Sequence, residues 1–354
     1  MICHTPVVRF RHIHCVTERF REEEGETMSD TNRDVKRIVG DFIGGMKIGE
    51  PVLHETFRVF PLIARAEASV ETRPSLKTVK EALEEGILLI KETGDVDHLL
   101  FVNQSKEAKI LVLAGEIVKG GAQNRVVNVN LIIDEGATVE VPTSCVEMGR
   151  WNHFDAPFKS AEHKVSPSVF SELNRSVTEN LRCSGGRARH SDQKGVWGKV
   201  EETLAESDAE NPTSDLGALF VKNERETREA MGLVLQNLKV QGAVGILAES
   251  EGRWIAEIND SAEIARVHIP KALESFLVEA LQGTRSLAAV VKKGRSGNRG
   301  DPDRILESLS KGPFEQFPSS PDVREIRLDR KDAAGSGLIY GGRLVHLSVA
   351  GEAE

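Results

Sequence analysis

Residues 113–151 read LAGEIVKGGAQNRVVNVNLIIDEGATVEVPTSCVEMGRW. In this stretch Val127, Val129, Leu131 and Ile133 alternate with Asn128 and Asn130. A period of two points one set of side chains each way, so Val126 to Asp134 is expected as a strand with an apolar and an amide face. Thr138 to Val141 predicts a second strand, ending at Pro142, whose missing N–H suits an edge or a strand end. A third is expected near Cys145 to Met148. Upstream, Ile87 to Lys91, Leu99 to Asn103 and Lys109 to Leu113 have the same short apolar character. Strands at this spacing predict an antiparallel sheet.

Working outward, helical spacing of Val35, Ile38, Val39 and Phe42 predicts a helix over 32–46. Residues 51–63 read as extended. Leu76, Val79 and Leu83 form the stripe of a helix with Ser75 as N-cap and Gly86 as its stop. After Trp151 the character changes. Helices are expected over 166–181, 197–205 and from 213 or 214 toward 240, with Gly232 against a continuous one. Another is expected to start at Pro270. Residues 243–248 and 254–258 form a hairpin around Glu251-Gly252. Residues 183–194 read as an exposed loop, and 292–304 as a basic, glycine-rich loop. Strands at 324–328 and 338–347 close the chain. The fold class is α+β: a β-rich N-terminal half (antiparallel sheet) packed with a helical C-terminal half around one continuous core. The domain reading is an extension over 1–27 and one domain over 28–350, β-rich over 47–151 and mixed over 152–350.

Composition sets the outer bounds. The chain has 354 residues, 39% of them apolar before its 31 glycines are counted, which is enough to bury a core. Lys and Arg number 46 against 55 Asp and Glu, a net charge of −9. That argues against a broadly basic nucleic-acid binder. No apolar run approaches the roughly 18 residues that span a membrane. Four cysteines make no disulfide scaffold. A cytoplasmic protein is the expectation.

The first 27 residues differ from the rest. They carry Cys3, His4, His12, His14 and Cys15, then Glu22 to Glu24. A small zinc site is one reading, but the spacing fits no standard zinc pattern. The other is an extension upstream of a start at Met28. No metal is expected in the remainder.

Familiar catalytic strings are absent: there is no phosphate loop of the G-x-x-x-x-G-K-[ST] type, no G-x-G-x-x-G, no G-x-S-x-G, no H-E-x-x-H and no C-x-x-C. The polar residues of 113–151 are the candidates instead. Cys145 and Glu147 share a strand face by their spacing, as do Gln123 and Arg125. Glu147 suits acid–base work and Cys145 a nucleophile activated by a nearby arginine. Glu116, Gln123, Asn124, Arg125, Arg150 and Trp151 are candidate ligand contacts, because a guanidinium fork matches phosphate or carboxylate and an indole can stack on a base. Each has a plainer rival. Glu147 with Arg150 or Arg125 makes a structural ion pair, Cys145 a buried inert thiol, and Trp151 and Trp197 core aromatics.

These residues also carry a resemblance. Gly115, Glu116, Gly121, Gln123, Asn124, Arg125, Asn128, Pro142, Cys145, Val146, Glu147, Gly149, Arg150 and Trp151 match the pattern of the ARG- and rhodanese-phosphatase-associated protein domain family. Weaker similarity continues at 194–197, 242–258 and the helix to Leu281, and at Val345-His346-Leu347. It covers roughly 49–347. The chain departs from the pattern at Thr143 and in the basic insert 292–304. The family is named for its gene company, ADP-ribosylglycohydrolases and rhodanese or phosphatase proteins. That implies, by association, a role near ADP-ribose or nucleotide metabolism and a small phosphorylated ligand. It names no cofactor and no protein partner. Three readings follow: an enzyme on such a molecule, a non-catalytic binder of it, and a structural or partner-binding protein whose signature is a fold-defining polar network. Convergence of the signature side chains on an open cleft favours the first two; burial and mutual satisfaction favour the third.

Overall fold

The computed structural model describes residues 7–8, 28–54, 56–64, 76–150, 157–222, 224–281 and 300–353. Its strands form three sheets, and the class is α+β. Of the segments outside these residues, 9–27 hold most of the expected extension, 151–156 hold Trp151, and 282–299 hold most of the basic insert. The histidine and cysteine group at 3–15 lies outside the described residues too.

The first sheet is built on one long strand that changes neighbours. β12 (Thr138–Cys145) pairs with β7 (His98–Asn103) as far as Pro142, opposite His98. From Thr143 it pairs with β10 (Arg125–Val127) instead. Proline is therefore not at a strand end. It sits at the handover between two partners, where a missing N–H disturbs neither ladder. β6 (Leu88–Glu92) continues the sheet beyond β7, and β9 (Glu116–Lys119) and β13 (Lys159–Lys164) continue it beyond β10. The short β1 (Val7–Val8) lies parallel to β12.

The alternating stretch after Arg125 breaks in two. β10 ends at Val127, and β11 (Leu131–Ile133) joins β8 (Lys109–Val112) and β5 (Leu76–Thr78) in a separate three-stranded sheet. The amide side of this stretch is not exposed. Asn128 and Asn130 are as buried as Val129 between them. Asn130 takes the Glu325 carboxylate through its backbone N–H at 2.9 Å, and its Oδ1 accepts from Ala114 N–H at 3.0 Å. Asn128 Oδ1 accepts from the Ser144 hydroxyl at 2.9 Å. These partners come from distant segments, which alternation cannot foresee.

The third sheet has nine strands. Its order is β16 (Glu315–Ser320), β17 (Val323–Asp329), β18 (Ala333–Tyr340), β19 (Arg343–Glu352), β15 (Arg253–Asn259), β14 (Gly245–Ser250), β4 (Arg58–Ala64) and β2 (Met46–Ile48), with β3 (Val52–Leu53) also on β4. The expected hairpin at Glu251-Gly252 joins β14 to β15, and both turn residues take positive φ.

Helices pack between and around the sheets: α1 (Met28–Gly44), α2 (Val79–Glu84), α3 (Pro167–Cys183), α4 (Gln193–Glu206), α5 (Gly217–Lys222), α6 (Glu224–Gln241), α7 (Ala262–Ala280) and α8 (Pro302–Ser310). Two starts differ from expectation for capping reasons. α2 is capped by Thr78 rather than Ser75, because Thr78 and Glu81 form a reciprocal capping box while Leu76 and Lys77 are spent in β5. α7 begins after Ser261, whose side chain accepts from Ile264 N–H, and carries Pro270 inside. The long helix expected from 213 is described from Gly217 on, as α5 and α6, with residue 223 between them outside the described residues. The core is also divided. A large cluster lies under the nine-stranded sheet around Leu62, Ile246, Leu273 and Val177, a second joins Val79, Leu99, Phe101 and Val141, and a small third holds Leu111, Leu113 and Leu338.

Candidate functional site

The turn before β10 sets up the first part of the site. Gly120 and Gly121 both have positive φ, and a Cβ on Gly121 would lie 2.3 Å from Glu92 Oε1 and 2.5 Å from the Phe158 ring. Only glycine fits this approach. The turn lets Ala122 N–H reach Glu92 Oε1 at 2.9 Å and delivers Gln123, Asn124 and Arg125 to the interior.

There the signature side chains bind one another. Glu147 takes Arg150 Nε at 2.8 Å on each of its oxygens and Nη2 at 2.7 Å, and also accepts from Asn124 N–H at 3.2 Å. Arg150 spends its remaining reach on the Gly121 carbonyl and Asn124 Oδ1, both at 3.1 Å. Its bonds to Glu147 raise its already high pKa further. Asn124 Nδ2 donates to Asp215 at 3.3 Å, and Glu147 pairs with Asp215 through an isolated β-bridge. Gln123 Nε2 donates to the Met148 carbonyl at 3.1 Å, while its Oε1 accepts from Arg125 at 3.2 Å.

Arg125 is less well met. It is buried, its Nη2 stands 3.8 Å from Glu92, and its Nε has no partner. Across the ladder from it lies Cys145, whose backbone N–H and C=O are both bonded to the Gln193 amide at 2.8 and 2.9 Å. Burial pushes the Cys145 thiol up to about 11, against the pull of Arg125. A nucleophile needs the opposite shift.

Glu116 stands apart from this group. It belongs to a second network between β9, β13, α7, β15 and β19. Lys271 donates to Glu116 at 2.9 Å and to the Ser160 hydroxyl at 2.7 Å. Lys164 pairs with Glu257 at 3.1 Å, and His346 Nε2 meets the other Glu257 oxygen at 2.7 Å. His268 lies among them, fully buried, with no partner on either ring nitrogen. Burial opposes ionisation of both carboxylates, but Lys271 on Glu116 and Lys164 on Glu257 outweigh it and lower both pKa values. Burial holds His268 down to about 3, so its imidazole is neutral.

The signature thus divides. Gln123, Asn124, Arg125, Glu147 and Arg150 meet in one network with Cys145 beside it, and Glu116 joins another. Trp151 lies outside the described residues. Sequence reasoning missed Glu92, Lys164, Asp215, Glu257, Lys271 and His346, which reach these networks across long separations. A cleft of about 400 Å³ lies elsewhere, lined by Ser168, Arg253, Trp254 and Glu279 among others and by no signature residue. Among the described residues no group of three or more His, Cys, Asp or Glu is placed to hold a metal ion, and no helix is long and apolar enough to cross a membrane.

With this geometry in hand, comparison with known proteins is informative at one level. The sequence profile of the ARG and Rhodanese-Phosphatase-superfamily-associated Protein domain matches residues 45–350. The chain belongs to that family. The match takes in the described strands from β2 to β18, β19 as far as Ala350, and both buried networks. It starts after α1. No curated protein and no solved structure matches the chain. Membership in this family hints at a function related to the protein families in its name and specifies none.

Proposed function

We propose that the protein is a non-catalytic binding protein in which the family signature is a fold-defining polar network rather than a reactive site. The observation that carries this is the Glu147 carboxylate. Both of its oxygens are engaged by Arg150, one also by Asn124, in a nearly closed interior. A general acid or base needs a free oxygen within reach of substrate. The sealed, high-pKa thiol of Cys145 supports the same reading. The family name supplies the ligand class to try first, a nucleotide or ADP-ribose-type molecule.

The test is a thermal-shift panel of ADP-ribose, NAD, nucleotides and phosphate on the intact chain, followed by long incubation and product analysis of any ligand that binds. A ligand at 100 times its Kd stabilises by about 2.7 kcal/mol. Saturable binding without product supports the proposal. Turnover that Glu147→Gln abolishes in a folded protein overturns it.

Arg125 favours a second reading, in which the phosphorylated ligand is bound at the signature itself. A buried guanidinium with one hydrogen bond, a long ion pair and an orphan Nε is poorly compensated for its burial. Loss of an ADP-ribose shift in Arg125→Lys, with the fold retained, would favour this reading over the first.

A further inference from the structure

The cleft of about 400 Å³ noted above is bounded by the first turns of α3, by α4, by the end of α7 and by the paired ends of β15 and β19. Trp254 lines it and is 3% exposed. Its ring lies against the backbone of Gly351, where an added Cβ would come within 2.4 Å of the indole. Only glycine permits this approach. Among the described residues nothing accepts from the Trp254 indole N–H, and that nitrogen is not sealed in the interior as the unpartnered Trp197 Nε1 is. A second cavity, of about 280 Å³, shares Trp254, Asp332 and Glu352 with the first and extends to α8. The indole and Glu352 therefore stand where the two cavities meet.

The charges of the walls decide what kind of molecule fits. The anion seat is already filled. Glu279, from α7, occupies the N-terminus of α3: its Oε1 accepts from the Ser168 N–H at 3.2 Å and from the Ser168 hydroxyl at 2.6 Å. Its Oε2 faces Arg253 at 3.8 Å. A helix start that could have held a phosphate is thus spent on the protein's own carboxylate. What remains is mixed in sign. Among the described residues the carboxylates of Glu172, Glu206 and Glu352 have no partner, and neither has the Lys331 ammonium. Carboxylates outnumber cations in the lining of the larger cavity. A phosphate would meet repulsion there. An amine would leave the Trp254 N–H and Lys331 unanswered. A hydroxyl group both donates and accepts, so it answers both kinds of wall.

We propose that these two cavities bind a neutral saccharide, one ring in each, with hydroxyls that accept from the Trp254 indole N–H and donate to the Glu352 carboxylate. Lys331 and Arg253 donate to further oxygens of the ring in the larger cavity, and Glu172 and Glu206 accept from its hydroxyls. The larger cavity has the size of an ordinary small-molecule pocket. An uncharged ligand also avoids the cost of setting a fixed charge against walls of both signs. The seat is separate from the Gln123–Arg150 network and does not depend on the role given to it above.

Saturation-transfer NMR on the intact chain tests this with glucose, N-acetylglucosamine, maltose and chitobiose titrated to millimolar concentration. Saturable transfer is expected, with each disaccharide bound more tightly than its monosaccharide. Trp254→Phe keeps a ring and removes the N–H, and should weaken binding about fivefold. Glu352→Gln should weaken it about tenfold, the scale of a hydrogen bond to a charged group. Glu352 is exposed, so this second variant keeps the test open if Trp254→Phe fails to fold. Absence of saturable transfer from all four sugars overturns the proposal. So does binding that ignores both substitutions, or tighter binding of phosphate or spermidine that the same substitutions weaken. A disaccharide that binds no better than its monosaccharide overturns the use of both cavities. These sugars carry neither phosphate nor base, so the nucleotide panel can succeed or fail without altering this result.

Discussion

Lys271 and Glu116 stand 155 residues apart in the chain and meet at 2.9 Å, both fully removed from solvent. The pair ties α7 to β9. Removing only one partner strands a buried charge, at a cost of about 3–5 kcal/mol. Lys271→Met is therefore expected to destabilise strongly, and Lys271→Met with Glu116→Gln much less. Urea unfolding of the two singles and the double checks this; additive losses would count against a direct pair.

Acid should weaken the fold in two stages. His268 and His163 are both pushed down to about 3 from an ordinary 6.5, chiefly by burial. The unfolded chain therefore binds more protons than the folded one between those values. The stability contributed by the neutral imidazoles is present above pH 6.5 and lost as pH falls toward 3. Glu116 and Glu257, lowered by their lysine partners, lose their contribution below the ordinary carboxylate value of 4.5. Calorimetry from pH 7.5 to 4.5 isolates the first stage. His268→Leu should flatten that slope; an unchanged slope would show that His268 is charged or exposed.

Glu147→Gln keeps the shape of the side chain and removes the charge that Arg150 needs. Hydrogen bonds to charged groups contribute about 1.5–3 kcal/mol each, so Tm should fall by several degrees. Circular dichroism melting measures it. An unchanged Tm would mean that the Glu147–Arg150 pair does not hold the fold.

Cys145 and Cys183 should separate cleanly under alkylation. Cys183 is exposed and Cys145 is buried with a raised pKa. Iodoacetamide on the native protein, followed by peptide mapping, should label Cys183 and spare Cys145 until denaturant is added. Rapid native labelling of Cys145 would restore the nucleophile reading.

At the α2 cap, Thr78→Ala breaks the capping box with Glu81. A loss of about 1 kcal/mol is expected in chemical unfolding, and a neutral outcome would assign the N-terminus of α2 to packing alone.

What the sequence made legible was local. Short apolar runs located β6 to β8, and the apolar stripe of Val169, Leu173 and Val177 located α3. The Glu251-Gly252 turn marked its hairpin because few residues other than glycine accept its backbone. The misreadings have a common cause. Asn128 and Asn130 alternate as exposed residues do, yet Ser144 and Glu325 satisfy them from other strands, so polarity did not mean exposure. Pro270 looked like a helix start, yet Ser261 caps the helix earlier. At the site, the signature identified Gln123, Asn124, Arg125, Glu147 and Arg150 as neighbours. That Glu116 belongs with Lys271 and not with them is a tertiary fact. One signal was overlooked: Glu325 and Arg327 are two apart on a strand, which marks a charged pair on a single face.

β4 lies beside β14, with Arg58 reaching Glu249 at 2.8 Å across 191 residues of chain. On the ribosome, the early strand must wait for most of the polypeptide to emerge before its neighbour exists. Until then it presents an unfilled edge, available to any extended segment nearby. Assembly of the nine-stranded sheet is thus a late event of synthesis, with slow, long-range closure. A fragment ending near residue 151 would keep β4 and lack its permanent neighbour, so it should be an aggregating species rather than a miniature of the whole.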